Sequence, residues 1–381
     1  MSFTYAEVDF LAAHAGEVDE LAAQAGLTKK TALADAALFR RHFGEFGRAC
    51  LELAQARRRM PGWLADSESS QQATHRLVAA ERARLFAAAG VTRVVDVTCS
   101  VGGEGPAMLH QGLGYFGSDV DLARLKMATL NVPEGSFYAA DALAPAVRAR
   151  DGEVILADPA RRSGGRRITR TADLKPPPAE LERVYAGRRL AIKCAPGIDY
   201  SDWPGLVSVV SVDGGVKEAG LYSPQFGTGR QAVVIRTSGT APRVDRIDSS
   251  YPSEVAVGRC GRFILDPDGA IVRAGLVAHY ACREGLWMLD PHIAYLTGAR
   301  LPAGTSGFEV LDEVPLKRLK AALAARDCGS AEILVRGVDL DPDQLRAKLK
   351  LTGRKQLAVV IARVGNSARA FVCSSRVHSL Q

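Results

Sequence analysis

The stretch from Arg93 to Gly105 constrains the fold of this chain more than any other segment. It reads Arg-Val-Val-Asp-Val-Thr-Cys-Ser-Val-Gly-Gly-Glu-Gly. Its apolar start predicts a buried strand that ends at Asp96, and its glycines predict a turn that opens a helix. Glycine has no Cβ and tolerates positive φ, so such a turn lets backbone N–H groups approach a ligand closely. The segment therefore predicts a strand–turn–helix unit with a ligand at the turn.

Further short strands follow, and each of them also stops at an acid. They are Gly114–Asp119, Ser136–Asp141 and Glu153–Asp158, and the stretch Leu122–Leu130 among them has leucines at helical spacing. Strand and helix alternate, which predicts an α/β fold with a parallel sheet wrapped by helices. Ligands of such sheets bind beyond the carboxyl ends of the strands, where all of these acids are expected.

The acids at these strand ends suit different parts of a nucleoside ligand. Asp119, at the end of the second strand, is expected to accept both hydroxyl protons of a ribose, and Asp141 to accept from the exocyclic amine of adenine. Asp96 is expected to orient the glycine turn and to face a charged amino-acid group through water. Charged hydrogen bonds of this kind contribute roughly 1.5–3 kcal/mol each. The alternative is that each Asp only caps the helix that follows it.

With these motifs, residues from about Gln71 to Gly239 resemble the class I S-adenosylmethionine-dependent methyltransferases. Within that family the chain looks like the bacterial enzymes with a THUMP-like carboxyl-terminal domain, which are related to trimethylguanosine synthases. Their first motif reads roughly D-x-x-C-G-I-G-G-D. Here Asp96–Glu104 matches it, with Ser100 in place of the first glycine and Glu104 in place of the last Asp. The resemblance implies S-adenosyl-L-methionine as cofactor, contacted by Gln72, Thr74, Asp96, Cys99, Ser100, Gly102, Gly103, Asp119, Val120, Asp141 and Ala142.

The fourth strand carries the motif expected to hold the substrate. Many amino-methyltransferases have D/N-P-P-Y/W here, whereas this chain has Asp158-Pro159-Ala-Arg161-Arg162, like the D-P-A-R-R form of the THUMP-like subgroup. The resemblance implies that Asp158 and the carbonyl near Pro159 hold the attacking nitrogen. Arg161 or Arg162 would assist, because a guanidinium plane can stack on a base or grip a phosphate. The alternative is a simple turn after a strand.

A basic loop follows this motif, with five arginines between positions 161 and 170. Arg166 and Arg167 are therefore expected to contact a polyanion, although a solvated loop is the alternative. Further on, Leu190–Gly197 predicts a fifth strand, and two apolar β-branched stretches, 207–212 and 232–236, predict a final antiparallel pair. Between these two stretches, Lys217-Glu218 matches a Lys-Glu pair of the family. The resemblance implies a contact on the substrate side, and the alternative is a solvent-exposed pair.

The last part of the chain has a different pattern. From Glu309 onward it predicts strand, helix, strand, helix and two strands, which looks like the THUMP-like domain, whose relatives grip tRNA ends. From Leu311 to Gln381 there are thirteen Lys or Arg and seven Asp or Glu, a balance of +6 in a chain of +7. Such asymmetry is typical of a phosphate-binding module, and a basic surface without a partner is the alternative. The expected RNA contacts are Lys348, Lys350, Arg354 and Lys355.

The flanking segments complete the predicted organisation. The sequence of residues 1–69 predicts a helical bundle. The alternative is that this region also contacts nucleic acid through its basic residues, which are Lys29, Lys30, Arg57, Arg58 and Arg59. A helix is expected from Thr74 to Ala88. Residues 70–240 form the methyltransferase domain, with a Rossmann-like sheet that is parallel except for its last strand. Residues 241–307 connect it to the THUMP-like domain at 308–381, with a linker or crossing segment over Thr240–Ser253 and one helix from Asp268 to about Gly285.

Composition restricts the functional classes. The chain has no apolar run of about twenty residues and no amino-terminal signal pattern, so we expect a cytoplasmic protein without a membrane span. Its seven cysteines show no C-x-x-C spacing, which favours reduced thiols over a metal site. The pattern predicts an RNA base methyltransferase, and tRNA is favoured as its partner by analogy alone. A methyltransferase for small molecules or proteins and a non-catalytic RNA-binding protein stay open, as does the oligomeric state.

Overall fold

The structure is a computed structural model that describes residues 3–146, 150–159, 162–163, 166–167 and 173–379, the two short middle stretches by their backbone alone. The chain forms two compact units. The first comprises Met1–Val210 and Lys217–Thr228, and the second comprises Ser211–Val216 and Gly229–Gln381. The domain boundaries expected from the sequence stay predictions.

The first unit begins with a helical region, as expected. Its helices are α1 (Tyr5–Ala13), α2 (Ala15–Ala22), α3 (Ala32–Phe43), α4 (Gly47–Arg57) and α5 (Ser67–Gln72), with a 3-10 turn at Gly44–Phe46. They bury a shared apolar core that includes Leu11, Phe39 and Leu53. Arg57 donates to Asp19 and to the carbonyls of Trp63 and Ala15, and Arg58 donates to the carbonyl of Leu27. These bonds give both arginines a role within the bundle.

A sheet forms the centre of the first unit. The strands up to residue 222 are β1 (Arg93–Asp96), β2 (Gly114–Asp119), β3 (Ser136–Ala139), β4 (Glu153–Ala157), β5 (Arg162–Ser163), β6 (Arg166–Arg167), β7 (Arg189–Cys194), β8 (Leu206–Val212) and β9 (Gly215–Tyr222). The strand order is β8-β9-β7-β4-β1-β2-β3, and β5 pairs with β6 as a separate hairpin. The pairs from β7 to β3 are parallel, and β9 is antiparallel to β7. The predicted α/β methyltransferase-type sheet is confirmed.

The helices of this sheet are α6 (Arg76–Ala88), α7 (Gly105–His110), α8 (Leu122–Asn131) and α9 (Pro178–Val184), and a 3-10 turn spans Pro224–Phe226. The expected helix from Thr74 is thus two residues shorter at its start. Strand β9 was missing from the prediction. The reason is that β9 reads Gly-Val-Lys-Glu-Ala-Gly-Leu-Tyr and lacks a continuous apolar run.

The second unit contains β10 (Gly229–Arg236), β11 (Arg243–Asp248), β12 (Phe263–Leu265), α10 (Gly269–Arg273), α11 (Val277–Glu284), β13 (Trp287–Asp290), β14 (Ile293–Gly298), β15 (Ser306–Pro315), a 3-10 turn (Leu316–Arg318), α12 (Leu319–Ala324), β16 (Cys328–Arg336), α13 (Pro342–Leu349), β17 (Lys355–Val364), β18 (Ser367–Ser374) and β19 (Val377–His378). Strands β10 and β11 pair antiparallel. The remaining strands of the second unit form a sheet in the order β13-β14-β12-β15-β18-β17-β16, with β19 beside β15.

Both faces of this second sheet are buried. Along β17, Val359 and Ile361 pack in a cluster with Leu323 of α12, whereas Val360 faces the opposite cluster with Phe371. Alternating side chains of a strand point to opposite faces, so an unbroken apolar run is what a strand covered on both sides requires. The predicted strand–helix–strand–helix–strand–strand pattern of the THUMP-like domain is confirmed.

The structure excludes one alternative for the connecting segment and corrects another expectation. Thr240–Ser253 is not a linker, because residues 243–248 form β11. The single helix expected from Asp268 to Gly285 is split into α10 and α11, since Gly275 between them adopts a φ of +74° and interrupts the helix. Asp268 does cap α10, and its carboxylate accepts the N–H of Ala270. Among the residues described, no helix has the length and apolar character needed to cross a membrane.

Candidate active site

The four strand-end acids lie along one edge of the sheet. The register pairs Asp96 with residues 117 and 156, and it pairs Asp119 with residue 139. Asp119 stands two residues beyond residue 117, at the end of β2. In the same way, Asp158 stands two residues beyond residue 156, just after β4, and Asp141 stands two residues beyond residue 139, just after β3. Because these strands are adjacent in the order β4-β1-β2-β3, the acids follow one another along a single rim.

The glycine-rich turn after β1 is held against β2. The N–H of Ser100 donates to a carboxylate oxygen of Asp119 at 3.0 Å, and the N–H of Cys99 donates to the carbonyl of Ser118 at 3.0 Å. Ser100 has a φ of +50°, a conformation that favours glycine, so its backbone keeps the shape of the glycine found here in the family motif. Gly102 has a φ of +84°, and a Cβ at Gly103 would project into open space.

Asp119 has the surroundings expected of a ribose acceptor. Its carboxylate accepts backbone N–H groups from Ser100 and Asp121, each at 3.0 Å, while a carboxylate offers about four acceptor sites. Val120, the next residue, is 71% exposed and presents an apolar side chain beside this carboxylate. An acceptor next to an exposed apolar side chain suits a ribose that carries a purine base.

The other predicted cofactor residues have more varied surroundings. Asp141 is exposed and accepts the N–H of Leu143 at 2.8 Å, and Ala142 is buried, with its carbonyl bonded to the hydroxyl of Tyr185 at 2.7 Å. Gln72 is exposed at the end of α5, and Thr74 is half-buried in the link between α5 and α6.

Asp96 is almost fully buried, with an exposed fraction of 4%. Its carboxylate accepts from the Tyr115 hydroxyl at 2.8 Å and from the N–H of Thr98 at 3.2 Å. Burial raises the pKa of Asp96 to about 7, with Glu104 adding to the rise and Lys193 opposing it. Asp96 therefore braces the strand end and turn from within, and its expected water-mediated contact with the cofactor stays a prediction.

A chain of buried ion pairs runs beneath the rim, and we call it the ion chain: Glu218, Arg82, Glu104, Lys193 and Asp158. Arg82 bonds Glu218 and also reaches both carboxylate oxygens of Glu104, at 3.1 and 3.3 Å. The Lys193 ammonium lies 3.1 Å from Glu104 and 2.7 Å from Asp158. The chain joins the end of the glycine turn, where Glu104 immediately precedes α7, to the predicted substrate acid.

The charges of the ion chain shift the pKa values of Glu104 and Lys193 in the directions that keep both groups ionised. Burial works to raise the pKa of Glu104, but Arg82 and Lys193 outweigh it, and the pKa lies below its usual range. Burial works to lower the pKa of Lys193, but Asp158 and Glu104 outweigh it and raise that pKa. Side-chain exposure is 21% for Asp158 and 6% or less for the other four members. Asp158 is thus the member that reaches solvent.

Sequence reasoning missed Arg82 and Lys193, and for Glu218 it left open a substrate-side contact and an exposed position, neither of which is the buried pairing found here. A usable signal was present for Lys193, because a lysine inside the apolar run Leu-Ala-Ile-Lys-Cys-Ala of a central strand needs a buried carboxylate partner. Arg82 gave a similar signal among the buried alanines of α6. Lys217, by contrast, is exposed.

Around Asp158 the backbone is also anchored. Its N–H donates to the hydroxyl of Thr98 at 2.6 Å, which ties the end of β4 to the turn after β1, and Pro159 is buried. Arg161 lies outside the described residues. Arg162 and Arg167 pair across the β5–β6 hairpin, which also contains Arg166, and the side chains of all three lie outside the description.

Asn131 links the amino-terminal helical region to the glycine turn. Its side chain forms two bonds of 2.9 Å with the backbone of Leu64 and one of 3.1 Å with the carbonyl of Val101. Val101, within the turn, is buried in the same apolar core as the amino-terminal helices. The helical region therefore supports the outer side of the turn.

The predicted basic patch surrounds the turn between α13 and β17. Lys348, Lys350, Arg354 and Lys355 are all exposed. Lys350 ends α13 in the left-handed conformation, and Arg354 makes one surface ion pair with Asp327 at 3.2 Å. The four cations therefore lie on one short stretch of surface within the second unit.

The donor set of the first unit suits an adenosyl sulfonium ligand. It offers acids for hydroxyl and amine protons, an exposed apolar side chain at Val120, and a turn whose Gly103 leaves open space where a Cβ would stand. Among the residues described, no group of three or more His, Cys, Asp or Glu side chains is placed to hold a metal ion. Fold and site together define a class I methyltransferase.

Comparison with known proteins agrees with this class. Proteins from the CDC 1551 and H37Rv strains of Mycobacterium tuberculosis, both named uncharacterized S-adenosylmethionine-dependent methyltransferases, are 44% identical over 354 residues, or 88% of this chain and 94% of theirs. This chain belongs to that S-adenosylmethionine-dependent methyltransferase family. It is an enzyme whose cofactor is S-adenosyl-L-methionine, so the hypothesis of a non-catalytic RNA-binding protein is set aside.

Two further likenesses concern the fold. The crystal structure of a candidate methyltransferase from Porphyromonas gingivalis W83 has a TM-score of 0.70 and 17% sequence identity, and the match covers 91% of this chain and 98% of that one. The family model described as THUMP domain-like matches residues 305–375. The predicted THUMP-like identity of the carboxyl-terminal region is thereby confirmed.

Proposed function

We propose that this methyltransferase modifies a base nitrogen in RNA, with tRNA favoured by analogy to THUMP-containing relatives. The observation that carries the proposal is the excess positive charge of the THUMP-like region, which includes four exposed cations around one turn. Neutralising backbone phosphates supplies most of the non-specific affinity of proteins for nucleic acids. A cytoplasmic location also stays a prediction.

The residues of the rim support a simple division of labour. Asp119, Asp141 and the glycine turn would hold the adenosyl cofactor, which supplies a methyl group on a sulfonium leaving group. Asp158 and the carbonyl near Pro159 would accept hydrogen bonds from the target nitrogen and turn it toward the methyl. Such chemistry depends on alignment more than on acid–base strength. A base within a duplex would have to be flipped out or already unpaired to reach Asp158.

The decisive test identifies the methylated product. Purified enzyme is incubated with methyl-labelled cofactor and RNA from cells that lack the gene, and RNA nucleosides are then analysed by mass spectrometry. The expected result is one labelled nucleoside, enriched in the tRNA fraction and missing from cells without the gene. The Asp158→Ala variant, which removes the acceptor, should transfer little methyl while its affinity for S-adenosylhomocysteine stays within a few-fold of wild type. Efficient transfer to a protein or small molecule, with none to RNA, would refute the proposal.

A second experiment tests the basic patch with a matched control. The double variant K348E/K350E reverses two exposed charges in the patch, and K317E/K320E reverses two exposed charges elsewhere in the same region. We expect K348E/K350E to weaken RNA binding at least about tenfold and to lower the slope of log affinity against log salt by about 2. The control should change both far less. Equal losses in the two variants would show that only net charge matters.

A further inference from the structure

The position of Lys193 connects the ion chain to the chemistry of Asp158. Strands β4 and β7 are parallel neighbours, and the register pairs Ala157 with Ile192, so the next residues on each strand, Asp158 and Lys193, stand side by side. The Lys193 ammonium lies 2.7 Å from the Oδ2 atom of Asp158, and the Lys193 side chain is 6% exposed. A buried lysine beside the predicted substrate acid is unusual, because an ammonium leaves water only where carboxylates compensate it.

The rest of the ion chain holds Lys193 in place. Its ammonium also bonds Glu104, which Arg82 grips through two contacts, and Arg82 continues to Glu218. Glu218, Arg82, Glu104 and Lys193 carry two negative and two positive charges, so together they are neutral. With Asp158 added, the chain carries one net negative charge, and Asp158 is its most exposed member.

We propose that Lys193 is a positioning residue, which fixes the Asp158 side chain and keeps it as a carboxylate that only accepts hydrogen bonds. This inference rests on the proposed function, in which Asp158 meets the target nitrogen. An acceptor-only carboxylate selects a nitrogen that carries a hydrogen, such as an exocyclic amino group of a base. It disfavours ring nitrogens without a hydrogen, such as N1 of adenine or N7 of guanine, because they can only accept hydrogen bonds and would turn a lone pair toward the carboxylate.

The kinetic test separates positioning from folding. Lys193→Met should lower kcat for RNA methylation about tenfold to a hundredfold, because misplacing a substrate-orienting group by about 1 Å costs roughly that much. The KM for RNA and the affinity for S-adenosylhomocysteine should stay within about threefold. Lys193→Arg, which keeps the charge, should recover most of the rate, and Lys320→Met, an exposed lysine of the second unit, should match wild type. A K193M rate equal to wild type, or no recovery in K193R, would overturn the inference.

A spectroscopic test reads the Lys193–Asp158 pair without activity. In protein labelled with ¹⁵N-lysine, the buried ammonium should give a proton signal protected from exchange that disappears in K193R and shifts in D158N. A protected signal that D158N leaves unchanged, or none at all, would overturn the pairing. Should wild type fail to methylate RNA, the proposed function falls while this signal still decides the role of Lys193. A labelled product carrying its methyl on adenine N1 or guanine N7 would contradict the acceptor-only selection.

Discussion

Replacing Arg82 by methionine should destabilise the first unit strongly. Arg82 is 3% exposed and bonds both carboxylates of a buried pair, Glu104 and Glu218. Arg82→Met keeps the apolar stem but removes the cation between two buried acids. Removing one partner of a buried ion pair costs about 3–5 kcal/mol. Because Lys193 still contacts Glu104 at 3.1 Å, part of the charge stays compensated, and we expect a loss of about 3–4 kcal/mol.

The same helix supplies the control. Arg84 is 43% exposed and pairs with Glu81 on the helix surface, so Arg84→Met should cost less than about 1 kcal/mol. Unfolding in urea is followed by far-ultraviolet circular dichroism. With two compact units in the chain, the relevant transition is the one that S-adenosylhomocysteine shifts, since a ligand stabilises the unit that binds it. Equal free energies of unfolding for R82M and R84M would refute the role assigned to the ion chain.

The loss of stability caused by Arg82→Met should depend on pH in a definite direction. The pKa of Glu104 lies below its usual value in the folded state, so the stability linked to it is present at neutral pH and is lost as the pH falls through the acid range. Without Arg82, burial is opposed less and the pKa of Glu104 should rise. The deficit of R82M should therefore be larger near pH 7 than near pH 5, and the reverse order would contradict the reasoning.

Three further outcomes are expected from the rim and turn. Asp119→Ala should weaken S-adenosylhomocysteine binding about tenfold to a hundredfold by calorimetry, through lost charged hydrogen bonds. Asp121→Ala, which removes a cap of α8 and a long ion pair with Arg124, should leave affinity nearly unchanged. Ser100→Gly should raise the free energy of unfolding by up to about 1 kcal/mol in urea titrations, because a φ of +50° strains serine. Because the pKa of Asp96 is raised to about 7 in the folded state, the folding stability that its protonated form contributes is lost as the pH rises from about 4 to about 7. Asp96→Asn should abolish this contribution, so its free energy of unfolding should vary less with pH than that of wild type.

Much of the fold could be predicted because its signals are local. The strand ending at Asp96, the glycine turn and the later strands ending in acids follow from apolar runs, glycines and strand ends within a few residues of one another. Parallel strands bring their carboxyl ends to one edge, so the alignment of these acids followed from strand–helix alternation alone. Strand β9 escaped because a strand with Lys217, Glu218 and Gly220 in it has no apolar run, and its place depends on pairing with β7.

The amino-acid sequence by itself determined the class of fold, the glycine turn, the rim of carboxylates and the basic THUMP-like region, since each depends on neighbours along the chain or on net charge. Only the tertiary structure decided the ion chain: Arg82 and Glu218 are 136 positions apart, yet they share a hydrogen bond. A lone Arg, Lys or Glu in an apolar segment indicates that a partner is needed, but not which one. Folding selects that partner because a buried charge is tolerated only where an opposite charge from another segment reaches it.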